Sequence, residues 1–199
     1  MAANDWSIPD KRIALRFVTV WAQISAQAKR GGEIIRRMRR FVSKHELEFS
    51  PADLNLIVRD ACGLIQIGEA GGEIQLSLEL CEEPLTVSVD KIQIQQVVIN
   101  LMQNGLDSMR ETEGSGGCLR VRTARLGQDK VEVAVTDRGK GLADEDIERV
   151  FEPFLTTKPG GLGIGLSISR SIVEAHGGHI WARSNPDRGM TFGFELPSK

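Results

Sequence analysis

Two stretches of alternating glycines, Asp137-Arg138-Gly139-Lys140-Gly141 and Gly161-Leu162-Gly163-Ile164-Gly165-Leu166, constrain this chain more than any other feature. Glycine tolerates backbone angles that a Cβ forbids and lets another group come close to the main chain. The first stretch directly follows a strand predicted over 130–136, so Asp137 emerges at a strand end where a ligand can reach it. A carboxylate there can accept hydrogen bonds from an exocyclic amine. The second opens a helix predicted over 164–175, whose free N–H groups and positive dipole end can receive phosphate oxygens, and Lys158 lies just before it. Taken singly, the first also fits an ordinary turn or a calcium-binding loop, and the second a glycine-rich hairpin. The chain has no G-x-x-x-x-G-K-[ST] phosphate loop and no G-x-G-x-x-G between a strand and a helix.

Near the start, Ala14, Phe17, Trp21, Ile24, Ala28, Gly31, Ile35, Met38 and Val42 recur at steps of three and four, the seam of one long helix that needs a partner helix. Gly31 and Gly32 weaken it locally, by about 1 kcal/mol each against alanine. Lys29, Arg30, Arg36, Arg37, Arg39 and Arg40 give its second half a basic face, read as solvated surface. Ser50, Pro51 and Asp53 read as an N-cap, a first-position proline and an acidic first turn, so a helix is predicted there with Leu54, Ile57, Val58, Ala61 and Leu64 as its apolar stripe. A turn at 68–72, a half-buried strand over 74–80 and a short strand over 85–89 follow.

Asp90 caps a helix running to about Met109, with Ile94, Val97, Val98, Leu101 and Met102 buried. Strands over 118–126 and 130–136 meet at Gly127-Gln128-Asp129, and a long connection over 138–163 leads to the 164–175 helix. His176-Gly177-Gly178 stops that helix, and strands over 179–184 and 190–196 finish the chain. This order predicts an α+β protein with helices on one face of an antiparallel-rich sheet.

With 199 residues and 41% hydrophobic content, the chain can bury a real core, and its net charge of −2 argues against nucleic acid or an anionic membrane as the main partner. Cys62, Cys81 and Cys118 form no C-x-x-C pair, so neither a disulfide framework nor a zinc site is suggested, and a cytoplasmic location is expected. The apolar stretch at 13–24 is interrupted by Arg16 and too short to span a bilayer, and residues 1–11 lack a signal-peptide pattern. No export, insertion or direct membrane contact is predicted.

On the Asp90 helix, Asn100, Asn104, Asp107 and Ser108 stand among strongly apolar residues. Asn100 and Asn104 share a face and can aim amide oxygens at one hard cation, as a magnesium ion that also takes phosphate oxygens needs few protein ligands; taken singly, the pair also fits ordinary exposed surface. Phe151-Glu152-Pro153-Phe154 lies between the glycine stretches, its phenylalanines read as an apolar staple for a loop. In order, N-L-x-x-N, D-x-G-x-G, F-E-P-F and G-x-G-x-G-L resemble the N, G1, F and G2 boxes of the histidine kinase branch of the GHKL ATPase superfamily, over residues 49–197. Gly32-Glu33-Ile34-Ile35-Arg36-Arg37 also resembles the second dimerisation helix of FixL-like kinases.

The resemblance implies a Bergerat fold, a two-layer α/β sandwich of mixed sheet and helices, at 50–199, with a dimerisation helix at 1–44 and a linker at 45–49. It implies ATP and Mg2+ as cofactors, a homodimer through the N-terminal helix, and a response regulator receiver domain as partner. By position, Asp137 would bind the adenine amine in a pocket shaped by Gly139 and Gly141 and supported by Thr191. Asn104 would hold magnesium, while Lys158 and the Gly161, Gly163 and Gly165 amides would face the terminal phosphates under a lid over 138–162. Asp107, Thr157 and Leu166 belong to the same nucleotide-binding set. Asn100 stands where hydrolysing members carry a general-base glutamate; an amide cannot take a proton from water, which favours transfer to a side chain over hydrolysis.

One departure is plain: residues 1–44 contain no histidine, although the family's first dimerisation helix carries the phosphoacceptor. His45-Glu46-Leu47-Glu48-Phe49-Ser50-Pro51 superficially resembles the acceptor motif but falls where the linker belongs, and His176 and His179 flank a helix-capping turn. The main expectation is a protein-histidine kinase acting on a histidine outside residues 1–44. The alternatives are an acceptor-less ATP-binding regulatory module and a serine kinase of the anti-sigma type.

Overall fold

A computed structural model of the chain describes residues 47–65, 74–112, 117–156 and 162–198. The expectations for the heptad helix, its basic face, His45, the turn at 68–72, Thr157, Lys158 and Gly161 lie outside the described residues. The elements follow in the order β1 (Ser50–Asp53), α1 (Leu54–Leu64), β2 (Gln75–Glu79), β3 (Thr86–Val89), α2 (Lys91–Arg110), β4 (Cys118–Leu126), β5 (Lys130–Thr136), α3 (Asp144–Ile147), α4 (Gly165–Ala175), β6 (His179–Ser184) and β7 (Met190–Pro197).

Five strands form a mixed sheet in the order β2-β4-β5-β7-β6, parallel only between β2 and β4. Alternation decides which face is covered. Leu119, Val121 and Thr123 of β4 are buried while Arg120 and Arg122 between them are exposed. Register aligns Val121, Val135 and Phe192 in one inward row and Thr123, Val133, Phe194 and Ile180 in the next. Helix α2 contacts β4, β5, α1 and α4. Its Ile94, Val97, Val98, Leu101 and Met102 are each fully buried, worth about 1.5–3 kcal/mol per side chain. The result is a two-layer α+β sandwich.

The helix predicted with Ser50 as N-cap and Pro51 as its first residue is corrected. Ser50–Asp53 pairs antiparallel with β3, and α1 begins at Leu54 with Asp53 as its N-cap. The Oδ1 of Asp53 accepts from the Asn55 N–H at 3.0 Å and the Leu85 N–H at 3.2 Å, so one carboxylate caps α1 and fixes the approach to β3. A strand with a single neighbour uses only every second N–H, so Pro51 leaves the ribbon intact. Two further differences are smaller. The long connection contains the unanticipated α3, and Leu78 of edge strand β2 remains 40% exposed.

Buried polar groups brace the far edge. Asn55 donates through Nδ2 to the carbonyls of Cys81 (3.0 Å) and Glu83 (3.1 Å), and its Oδ1 accepts from the Thr123 hydroxyl at 2.6 Å. Thr123 Oγ1 in turn accepts from the Cys81 N–H at 2.9 Å. No helix among the described residues is long and apolar enough to cross a membrane.

Candidate functional site

The inward row of β5, Val131, Val133 and Val135, continues by the two-residue period to Asp137, which the strand therefore delivers to the helix-covered side of the sheet. Asp137 is only 2% exposed. Its Oδ1 accepts from the Gly139 N–H at 2.8 Å and the Met190 N–H at 3.3 Å, and its own N–H donates to the Met190 carbonyl at 2.9 Å. The carboxylate is thus oriented by backbone from its own loop and from the start of β7. Helix α2 closes the third side. A Cβ on Gly105 would lie 3.2 Å from that of Asp137, and one on Gly139 would lie 2.6 Å from the Ser108 Cβ and 2.9 Å from its carbonyl carbon. Glycine at these two positions lets the strand end and its loop lie directly on the helix. Gly141 bends the loop onward at φ +76°.

Further back on α2, Asn100 donates from Nδ2 to the Ser169 hydroxyl at 2.9 Å, and its Oδ1 lies against Gly165, where a Cβ would come within 2.7 Å. The N-terminal turn of α4 is therefore seated on the asparagine helix. Among the described residues no side chain caps α4, which leaves the N–H groups of its first turn available. Asn104, partly exposed, lies one helical turn beyond Asn100, and Leu166 packs half-buried against the core. At the base of the connecting loop, Phe154 donates its N–H to the Gly163 carbonyl at 2.9 Å, with Gly163 at φ +62°. The two phenylalanines separate: Phe151 is buried edge-on to Phe192 at 6.4 Å, whereas Phe154 is 77% exposed at φ +67° and has no ring contact among the described residues.

Asp107 sits apart from the Asp137 cluster, and Thr191 reaches it only through Asn185. Asp107 pairs with Arg110 at 3.7 Å and lines, with Leu64, Gln103 and Leu106, a groove of about 260 Å³ between α1 and α2. That lining includes neither Asn100 nor Asp137. Thr191 lies on the outward row of the sheet beside Thr136, their hydroxyls 3.0 Å apart, and donates to Asn185 Oδ1 at 2.7 Å. Its hydroxyl braces the loop from behind. Reading the sequence missed Gly105, Ser169, Asn185 and Gly189. Gly105, unfavourable inside an otherwise strong helix, was the signal that something packs there; the others have none at sequence level.

Residues 89–199 match the family described as histidine kinase-, DNA gyrase B-, and HSP90-like ATPase, and the chain belongs to it. ATP use follows from that membership. The relatives are more specific: sensor protein FixL of Bradyrhizobium diazoefficiens is 42% identical over 172 residues, 86% of this chain and 34% of that protein. Sensor protein TdiS of Thauera aromatica is 38% identical over 168 residues, 83% of this chain and 30% of that protein. The chain thus spans about a third of the length of these relatives. Among solved structures, the nucleotide-free catalytic domain of histidine kinase ThkA aligns with TM-score 0.66 at 36% identity, covering 75% of this chain and 95% of that one. ThkA in complex with the response regulator protein TrrA gives a TM-score of 0.74 at 30% identity, over 96% and 53%.

Proposed function

We propose that this chain is the ATP-binding catalytic portion of a sensor histidine kinase, transferring the γ-phosphoryl group of ATP to a histidine outside residues 1–44. The observation that carries this is the seating of Asp137: buried, held by two backbone N–H groups, and placed where strand end, glycine loop and asparagine helix converge. A carboxylate so fixed accepts from the exocyclic amine of adenine without reorganising. The residues fit a nucleotide: Gly139 and Gly165 keep the approaches to α2 tight, and α4 offers N–H groups for phosphate. Asn104, with phosphate oxygens completing the shell, would hold Mg2+. ATP when bound supplies the transferable phosphoryl group, and by position in the sequence Lys158, Thr157 and Gly161 would complete the set on its phosphate side.

Phosphoryl transfer depends mainly on positioning and charge stabilisation, which is what these residues supply. Asn100 cannot act as a base, and its amide N–H is engaged by Ser169, so water is not activated there. Residues 1–44 would form the dimerisation helix of a homodimer and 45–49 the linker to the catalytic domain at 50–199. A response regulator receiver domain would take the phosphoryl group onward, as the ThkA–TrrA complex suggests, in the cytoplasm.

Incubating the chain with labelled ATP, Mg2+ and a separate acceptor-helix domain tests the reading. Acid-labile label on a histidine is expected. A second reading is an ATP-binding module that regulates a partner kinase, and nucleotide binding without transfer would establish it instead. Acid-stable label on a partner serine would replace both with a serine kinase.

A further inference from the structure

The geometry points to Asn185, in the turn between β6 and β7, as a positioning residue that sets base selectivity by holding Asp137; this rests on the adenine reading of Asp137 above. The side chain of Asn185 donates through Nδ2 to the Asp137 carbonyl at 3.0 Å and to the Arg188 carbonyl at 3.4 Å. Its Oδ1 accepts from Thr191 Oγ1 at 2.7 Å; with the Thr191 proton committed, Thr136 donates to Thr191 across 3.0 Å. Thus a chain of three side chains runs from the outward row of the sheet to the peptide group of Asp137. Around it, the Asn185 N–H closes the turn onto the Gly189 carbonyl at 3.0 Å, and Arg188 Nε donates to the Gly139 carbonyl at 3.2 Å.

Gly189, at φ +86°, makes this clamp possible. A Cβ there would lie 2.8 Å from the Arg138 Cα and closer still to the Asp137 carbonyl. The turn therefore presses against the back of the D-x-G loop while Met190 holds its front. Among these groups, Asn185 is the side chain that bonds directly to the Asp137 main chain. Adenine offers an amine where guanine offers a carbonyl, and a carboxylate discriminates between them only while it is held still. Releasing the Asp137 carbonyl lets the loop shift and blurs that discrimination.

The test compares wild type, Asn185→Ala, Asn185→Asp and Asp137→Asn by calorimetric titration with ATP and with GTP, alongside thermal melting of each. Asn185→Asp keeps size and the oxygen facing Thr191 but lacks the donor to Asp137. Both Asn185 variants should melt cooperatively, bind ATP about five- to tenfold more weakly, as expected for one lost hydrogen bond, and leave GTP binding nearly unchanged, so the ATP:GTP ratio narrows. A merely structural role would lower the melting temperature and leave the ratio where it was; that result overturns the proposal. If Asp137→Asn narrows the ratio and the Asn185 variants do not, this inference fails and the adenine reading stands. A wild type that binds both nucleotides equally overturns the adenine reading and this inference with it.

Discussion

The side-chain amide of Asn100 donates to the hydroxyl of Ser169 across 2.9 Å, and this one bond ties the asparagine helix to the helix that follows the second glycine stretch. Ser169 is 1% exposed, so its hydroxyl exists for a partner rather than for water. In this arrangement the amide turns Nδ2 toward Ser169 and Oδ1 toward Gly165.

Ser169→Ala should therefore cost about 0.5–1.5 kcal/mol of stability, the usual net worth of one hydrogen bond, since the half-buried Asn100 amide that loses its acceptor can still reach water. Gly165→Ala acts differently, because its Cβ would push directly on Asn100 Oδ1. Phosphoryl transfer should fall tenfold or more, on the order expected when a reacting group is displaced by a fraction of an ångström, with a smaller change in stability. Denaturant titration and single-turnover transfer separate the two. Wild-type transfer by Gly165→Ala would show that the contact carries nothing.

Asn55 joins α1, the loop before β3 and strand β4 through three side-chain bonds, and it is only 7% exposed. Asn55→Ala strands the Cys81 and Glu83 carbonyls and leaves the Thr123 hydroxyl seeking a new partner. A loss of about 2–4 kcal/mol is expected by urea unfolding, the sum of more than one unmade buried bond. Asn55→Asp should be as harmful, since a carboxylate cannot donate to the two carbonyls. A variant unfolding at the wild-type urea concentration would contradict the bracing role.

How far the sequence foretells this structure depends on whether a contact is local. The strands at 118–126 and 130–136 and the buried stripe of α2 follow from periodicity, and the inward position of Asp137 continues the Val131–Val133–Val135 row. The start of α1 did not follow, because Ser50, Pro51 and Asp53 suit a helix start while pairing with β3, far away in sequence, makes them a strand. Asn185 and Ser169 stayed invisible for the same reason. Each is an ordinary polar residue whose partner lies 48 and 69 positions away.

Burial pushes the Cys62 thiol up to about 11 from its ordinary 9.0. Because the folded value is the higher, the neutral thiol's contribution to stability is complete below pH 9 and is lost as pH rises from 9 through about 11. Cys62 should resist a thiol reagent at pH 8, while the partly exposed Cys81 and Cys118 react. Mass spectrometry after brief labelling checks this: early modification of Cys62 would mean that its site opens. In Cys62→Ala the fall of stability between pH 9 and 11 should be shallower than in wild type.

His176 links the far ends of the same two helices. It is 6% exposed at the C-cap of α4, its Nε2 accepts from the Asp90 N–H at 3.0 Å, and its Nδ1 lies 2.7 Å from the Ile172 carbonyl. An acceptor Nε2 requires the neutral ring with its proton on Nδ1, which then donates to Ile172. Asp90 is itself the N-cap of α2, receiving the N–H groups of Ile92 and Gln93 at 3.1 and 3.2 Å, so the imidazole positions the residue that starts the asparagine helix. The Phe49 ring packs against it, centroids 5.0 Å apart and planes tilted by 50°. His176→Phe keeps a ring for Phe49 but removes both bonds, and should destabilise by about 1–3 kcal/mol. The tautomer is a separate and sharper expectation: long-range proton–nitrogen spectra near pH 8 should show the His176 proton on Nδ1. A proton on Nε2 would be incompatible with acceptance from Asp90 and would remove the link between the C-terminus of α4 and the cap of α2.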